Sequence, residues 1–152
     1  MNGDQAVAGD WNGDGKDTIG VFRPSNQGWY LDYNNDAVPD QMIVYGLNGD
    51  LAVAGDWNGD GKDTIGVFRP SNRGWYLDYN NDAVPDQIIV YGLTGDVPVV
   101  GDWNGDGKDT IGVFRPSNRG WYLDYNNDAI PDLIIFYGLT GDQAIVGDWY
   151  KR

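Results

Sequence analysis

The chain has 152 residues, among them 23 Gly, seven Trp and ten Tyr, and a formal net charge of −13. All 23 acidic residues are Asp, and the lack of Cys and His excludes disulfides, thiolate catalysis and His-based acid–base chemistry. The negative charge argues against nucleic acid as a partner, because phosphates need Lys and Arg, and no apolar run is long enough for membrane insertion.

A 46-residue repeat organises the chain. The phrase GDWNGDGKD begins at Gly9 and recurs twice at that interval, and Gly147 begins a shortened copy, GDWYKR. Residues 52–97 differ from the preceding repeat at four positions and from the following repeat at six. Such identity indicates recent duplication or deliberate construction, so a designed repeat protein with no natural ligand is one interpretation. Residues 1–152 are read as a single repeat domain.

Each repeat contains four short strand-like runs. In residues 52–97 these are AVAGDW, TIGVFRP, GWYLDY and QIIVYG, and turns rich in Gly, Asn, Asp and Pro separate them. The pattern predicts an all-β fold with one four-stranded antiparallel meander per repeat. The predicted sheets cover about 5–46, 51–92 and 97–138, and an extra terminal strand covers 143–149, which is expected either to swap into a partner chain or to finish the edge of the last sheet.

The strands are apolar on both faces. GWYLDY places Trp75, Leu77 and Tyr79 on one face and Tyr76 on the other, and QIIVYG is apolar throughout. Such a sheet must be covered on both faces, and the sheets before and after it provide the simplest cover. With small residues in the first strand, the pattern predicts β-propeller blades, and a stacked solenoid of sheets is the alternative. Because three blades and one strand do not close a ring, we expect a homo-oligomer, for example two chains that make six blades.

The first turn of each repeat has the composition of a calcium loop. Oxygen-bearing residues stand at positions 1, 3 and 5 from Asp10, and Gly15 stands at position 6, as at the start of an EF-hand loop. Val21 at position 12 and the flanking strands exclude an EF-hand. The loop instead fits the shorter D-x-[DN]-x-D-G-x-x-D type between two strands.

With the YG…GD…GDWNGDG context around it, this loop resembles those of the FG-GAP/VCBS repeat family, and the resemblance covers essentially the whole chain. It implies a β-propeller, as in integrin α-chains and in secreted or surface bacterial proteins, with Ca²⁺ in the inter-strand loops. The implied ligands are Asp10, Asn12, Asp14 and the carbonyl of Lys16. The family's ninth-position Asp is Thr18 here, and the carboxylate comes one residue earlier. The candidate metal residues are therefore Asp10, Asn12, Asp14, Lys16, Asp17, Thr18, Asp56, Asn58, Asp60, Lys62, Asp63, Thr64, Asp102, Asn104, Asp106, Lys108, Asp109 and Thr110.

The third turn of each repeat has a similar pattern. It keeps the ninth-position Asp that the first turn lacks, but Ala37 stands where the turn favours Gly. In a meander the first and third turns lie at the same edge of the sheet. The alternative for both turns is that Asp and Asn only satisfy backbone groups through Asx-turns. The residues of these second candidate loops are Asp32, Asn34, Asp36, Asp40, Asp78, Asn80, Asp82, Asp86, Asp124, Asn126, Asp128 and Asp132.

Two further side-chain sets repeat with the same period. The Arg before each Pro (Arg23, Arg69 and Arg115) is expected to pair with an Asp or to stack on an aromatic ring. The Trp of GWYLDY is expected mainly to pack within the blade, and exposed members would be able to stack on sugar rings. These residues are Trp29, Trp75 and Trp121.

The repeat symmetry argues against an enzyme, because an active site usually breaks it and nothing here does. We therefore expect a non-catalytic calcium-binding scaffold for structural or adhesion-type interactions. It would be secreted or on a cell surface, where calcium is plentiful, with a carbohydrate or protein ligand. A lectin-like carbohydrate-binding propeller is the alternative.

Overall fold

A computed structural model describes residues 3–147, which form twelve strands in three antiparallel four-stranded sheets. The strands of the first sheet are β1 (Gln5–Gly9), β2 (Thr18–Arg23), β3 (Gly28–Leu31) and β4 (Gln41–Val44). Those of the second are β5 (Leu51–Gly55), β6 (Thr64–Arg69), β7 (Gly74–Leu77) and β8 (Gln87–Val90). Those of the third are β9 (Val97–Gly101), β10 (Thr110–Arg115), β11 (Gly120–Leu123) and β12 (Leu133–Phe136). The predicted all-β fold and the meander in each repeat are confirmed, and no helix in this part of the chain could span a membrane.

Each sheet has two apolar faces, which follow from the alternation of its strands. In the first sheet, Ile19 and Val21 of β2 lie on one face, which we name the leading face. Phe22 lies on the opposite, trailing face, where the register places it beside Trp29 of β3 and brings Trp29 beside Ile43 of β4. The equivalent residues of the other two sheets have the same register.

The core lies between the sheets. The trailing face of the first sheet packs on the leading face of the second, and Phe22, Trp29 and Ile43 share one cluster with Ile65 and Val67. The second and third sheets pack together in the same way. The first strands of neighbouring sheets, β1, β5 and β9, also contact one another in order.

The extra terminal strand is not formed over residues 143–147, and residues 148 and 149 of that prediction lie outside the described residues. A strand needs a neighbour for its hydrogen bonds, and β1, β5 and β9 each obtain one from the second strand of their own repeat. Ala144 of this terminal segment still packs on the cluster around Val99 and Phe114.

Candidate functional site

The first turn of each repeat, which we name the Asp loop, is built around one carboxylate. In residues 10–18, Oδ1 of Asp10 accepts the backbone N–H groups of Gly13 at 2.8 Å and Asp14 at 3.0 Å. Its Oδ2 accepts the N–H of Gly15 at 2.6 Å. Gly13 and Gly15 have φ values of +77° and +85°, a region that favours Gly, so the sequence fits the turn.

The next polar side chains continue this network. Asn12 Oδ1 accepts the N–H of Asp14 at 3.0 Å, and Asp14 Oδ1 accepts the N–H of Lys16 at 3.0 Å. The Asp loops that begin at Asp56 and Asp102 have the same bonds. The Asx-turns proposed as the alternative are therefore present, and they hold the loop in shape from its own residues.

The structure separates the last two candidate ligands from this cluster. Thr18 is buried at the start of β2, and its hydroxyl donates to the carbonyl of Gly9 at 3.5 Å. The equivalent Thr64 and Thr110 are also buried. The Asp residue just before this Thr is directed elsewhere. In the second and third repeats it is Asp63 and Asp109, whose carboxylates point to the preceding repeat.

Asp63 links the second repeat to the first. Its Oδ2 accepts the N–H of Asp10 at 2.7 Å, and its own N–H donates to the carbonyl of Asp10 at 2.9 Å. Asp109 makes the same two bonds to Asp56. Burial raises the pKa of Asp63 to about 6, against the opposing effect of the Asp10 N–H and with a contribution from nearby Asp residues. Sequence reasoning missed this role and assigned these residues only to a metal site.

A glycine stands one residue before each Asp loop, and in the first two repeats it makes room for this link. A Cβ on Gly9 would lie 2.8 Å from Oδ2 of Asp63, and a Cβ on Gly55 would lie 2.9 Å from Cβ of Asp109. Neither glycine has a positive φ, so space and not backbone conformation requires it. That Gly in an otherwise apolar strand was the one sequence feature that indicated a close neighbour.

The third turn, which we name the second Asp loop, has a similar internal network. In residues 32–40, Asp32 accepts the N–H groups of Asn34 at 3.1 Å and Ala37 at 2.7 Å. Asp40 accepts the N–H of Tyr33 at 2.7 Å and closes the turn. Ala37 has a φ of +68°, so the backbone does adopt the conformation that favours Gly.

The two kinds of loop contact each other at one edge of each sheet. Asn35 of the second Asp loop accepts the N–H of Ile19, the residue that follows the Asp loop, at 3.1 Å. The corresponding bonds from Ile65 to Asn81 and from Ile111 to Asn127 are both 3.0 Å. Each repeat therefore places the Asp side chains of its two Asp loops at one edge.

The residues of the Asp loop suit a hard cation such as Ca²⁺, although no group of three or more carboxylates within residues 3–147 converges on one metal position. Asp10, Asn12 and Asp14 offer oxygen ligands, which Ca²⁺ prefers. Asn12 and Asp14 are exposed, so water is available to complete a coordination shell. The carboxylates of Asp63 and Asp109 are directed to the preceding repeat and away from their own loops. The remaining candidates are Asp10, Asn12, Asp14 and the Lys16 carbonyl, and a bound cation would compete there with the backbone N–H groups that Asp10 accepts.

The Arg and Trp side chains serve the packing. Arg69 forms an ion pair with buried Asp50 at 2.8 Å, and its guanidinium lies 4.3 Å from the centre of the Tyr76 ring. The other two Arg repeat the arrangement, so the expected pairing and stacking are both present. Trp29 and Trp75 are fully buried, which leaves no face for a sugar, while the equivalent Trp121 is partly exposed.

A cavity lies in each of the two joints between sheets. The first, about 360 Å³, is lined by Tyr45 and Leu47 of one sheet and by Arg69 and Tyr76 of the next. The second, about 340 Å³, is lined by the equivalent residues one repeat later. The hydroxyl groups of Tyr45 and Tyr91 are buried without a hydrogen-bond partner in the described structure, and burial raises the pKa of each.

Comparison of the chain with protein-family models, with curated proteins and with solved structures found no match.

Proposed function

We propose that the protein is a non-catalytic, calcium-binding repeat scaffold of the FG-GAP/VCBS type that acts outside the cell. The observation that carries the proposal is the Asp loop, which has one geometry in all three repeats and presents oxygen ligands at an exposed sheet edge. A loop that is already shaped loses little conformational freedom when it binds a cation.

The sheet arrangement supports a β-propeller as the architecture of this scaffold. Neighbouring sheets pack face to face, and their first strands contact one another in order, as strands nearest a propeller axis would. These strands are rich in Ala, Val and Gly, which suits a crowded centre.

The test is equilibrium unfolding with Ca²⁺ and with a chelator, together with calorimetric stoichiometry. At about 100-fold excess over Kd, each occupied site adds roughly 2.7 kcal/mol to the free energy of unfolding. A stoichiometry of one ion per Asp loop supports the proposed ligand set. Twice that number means that the second Asp loops also bind Ca²⁺. An unfolding curve that does not move with Ca²⁺ would contradict the proposal.

Substitution at the fifth loop position separates calcium binding from Asx-turns. In Asp14→Asn, Asp60→Asn and Asp106→Asn combined, the amide oxygen still accepts the backbone N–H of the following Lys, but a negative ligand is lost. We expect only a small change of stability in chelator, because an exposed bond from the loop Asn to the second carboxylate oxygen is lost, and we expect loss of the Ca²⁺-dependent gain. The matched control makes the same change at Asp36, Asp82 and Asp128 of the second Asp loops.

A lectin-like function is the second candidate, and the cavities between the sheets favour it. Each is lined by an Arg and a Tyr, groups that bind sugar hydroxyls, and lies beside a buried Tyr hydroxyl that has no hydrogen-bond partner among residues 3–147. Under this function, Tyr45→Phe combined with Tyr91→Phe would abolish binding on a glycan array without loss of stability. A wild-type protein that binds no glycan on the array would contradict this candidate and leave the calcium scaffold untouched.

A further inference from the structure

The two outer faces of the three-sheet array correspond to the two halves of its internal joints. On the leading face, Ile19 is 54% exposed, whereas the equivalent Ile65 and Ile111 are fully buried against the preceding sheet. On the trailing face, Tyr137 is 76% exposed, whereas the equivalent Tyr45 and Tyr91 are 7% exposed. The residues that form an internal joint are therefore present at both ends.

The trailing face of the third sheet is the second of these outer apolar surfaces. Ile135 and Tyr137 are exposed together there, at 42% and 76%, while Ile43 and Ile89, which correspond to Ile135, are buried in the internal joints. An exposed apolar group of this kind marks an interaction surface.

The hydrogen bonds that join neighbouring repeats leave one group unused at each end of the array. Asp63 and Asp109 each bind the backbone of the preceding Asp loop. Asp17 is the equivalent residue of the first repeat and is exposed, with no such backbone to bind within residues 3–147. Asp102 is the equivalent target in the third repeat, and its N–H has no carboxylate acceptor in the same range.

We propose that the trailing face of the third sheet binds the leading face of the first sheet of a second copy of this chain. In this joint Tyr137 and Ile135 pack against Ile19 and Val21 of the other copy, as Tyr45 and Ile43 pack against Ile65 and Val67 within the chain. Asp17 accepts the N–H of Asp102 across the joint.

A second copy is the occupant because the joint continues a contact that the chain already makes twice, with near-identical residues on both sides. The contact is head-to-tail, so it yields a ring when the rotation closes and a filament when it does not. Two copies joined in this way at both ends make a ring of six sheets, the smallest closed form for a propeller built from these units. The inference holds with or without calcium in the loops.

In this joint, the first sheet of the second copy displaces the terminal segment 143–147. Ala144 packs on the cluster around Val99 and Phe114, as Ala52 of β5 packs on the cluster that contains Phe22 and Trp29. The segment therefore lies where β1 of the other copy would pack. Of these two segments, β1 is hydrogen-bonded to β2 along its whole length, whereas residues 143–147 form no strand. The second copy's β1 is therefore the better occupant of this position. We therefore expect a chain that ends at Asp142 to associate at least as tightly as the full chain.

Light scattering across a concentration series tests the joint. We expect the 152-residue protein to have at least twice its chain mass of 16.8 kDa. We expect Ile19→Asp and Tyr137→Asp each to weaken association about 30-fold or more, and to stay folded because both sites are exposed in the single chain. The matched control is Ile88→Asp, because Ile88 is exposed although the first sheet is in place and so lies outside the joint. A single-chain mass at every concentration, or full association of either variant, would overturn the proposal.

Disulfide trapping tests the head-to-tail geometry separately. A Cβ on Gly13 would lie 3.8 Å from Cβ of Lys62, which suits a disulfide. Gly105 and Lys16 are the equivalent residues at the two outer faces, and the chain has no native Cys. When mixed in equal amounts, chains with Lys16→Cys and chains with Gly105→Cys should form far more of the mixed disulfide dimer than of the two homodimers together. Gly13→Cys with Lys62→Cys in one chain is the positive control, and a random distribution of dimers would contradict the joint.

Discussion

The first and second sheets have nearly the same sequence but different surroundings. Ile19 and Ile65 follow identical loops and occupy equivalent positions in their strands, yet one is exposed and the other is covered by a neighbouring sheet. The same contrast holds for Asp17 and Asp63. The comparison teaches that a repeat is stabilised mainly by contact with its neighbours, as in other quasi-one-dimensional proteins.

Truncation of the isoleucine pair should show the largest difference. Ile65→Ala removes a fully buried side chain and leaves a cavity in the first joint, so we expect a loss of about 2–5 kcal/mol. Ile19→Ala should cost under about 1 kcal/mol in a dilute sample of single chains. Urea unfolding of the two variants measures both values, and equal losses would show that the first joint does not cover Ile65 as described.

The aspartate pair should differ in the pH dependence of stability. The pKa of Asp63 is raised to about 6 in the folded chain from an ordinary 3.8, so the native state binds its proton more tightly. The free energy of unfolding should therefore fall as the pH rises from about 4 to about 6, and change little from this group above that. In Asp63→Asn this loss is absent, because the neutral amide oxygen still accepts the Asp10 N–H.

The measurement is urea unfolding of Asp63→Asn and wild type in chelator, from pH 4 to pH 7. We expect the variant to gain about 1–3 kcal/mol over wild type above pH 6, and little advantage at pH 4. Asp17→Asn, at the equivalent exposed position, is the control and should not change the pH profile. A gain of the same size at pH 4 and at pH 7 would mean that the carboxyl charge is not responsible.

The smallest effect concerns the alanines at positive φ. Ala37 and Ala83 have φ values of +68° and +69°, and Gly would relieve both. The side chain of Ala83 packs on the first joint, whereas Ala37 belongs to none of the core clusters. We expect Ala37→Gly to stabilise the protein by about 0.5–1 kcal/mol and Ala83→Gly to gain less, because it loses that contact. Thermal unfolding distinguishes them, and a larger gain at Ala83 would contradict the packing argument.

Much of the fold follows from local sequence, because alternation and turn composition act over a few residues. The alternation around Trp75 gave the two faces of β7, and the Asn, Asp and Gly runs gave the turns. The extra strand at 143–149 was predicted from its likeness to β1, but a strand also requires a partner, which likeness does not supply.

The candidate site was less accessible to such reasoning. The loop positions of Asp10, Asn12 and Asp14 follow from spacing, and the structure brings them together. The target of Asp63 lies 53 residues earlier in the chain, so no local pattern identifies it. The identical repeats also conceal the difference between Ile19 and Ile65, since position in the array and not sequence determines it.

The backward reach of Asp63 and Asp109 has a consequence for synthesis on the ribosome. The chain emerges from its N-terminus, and the backbone at Asp10 receives its carboxylate partner only when the next repeat has been made. The trailing face of the first sheet likewise stays open until β6 supplies Ile65 and Val67. Completion of each sheet therefore lags its own translation by about half a repeat or more, and the newest sheet is always the one exposed to chaperones and proteases.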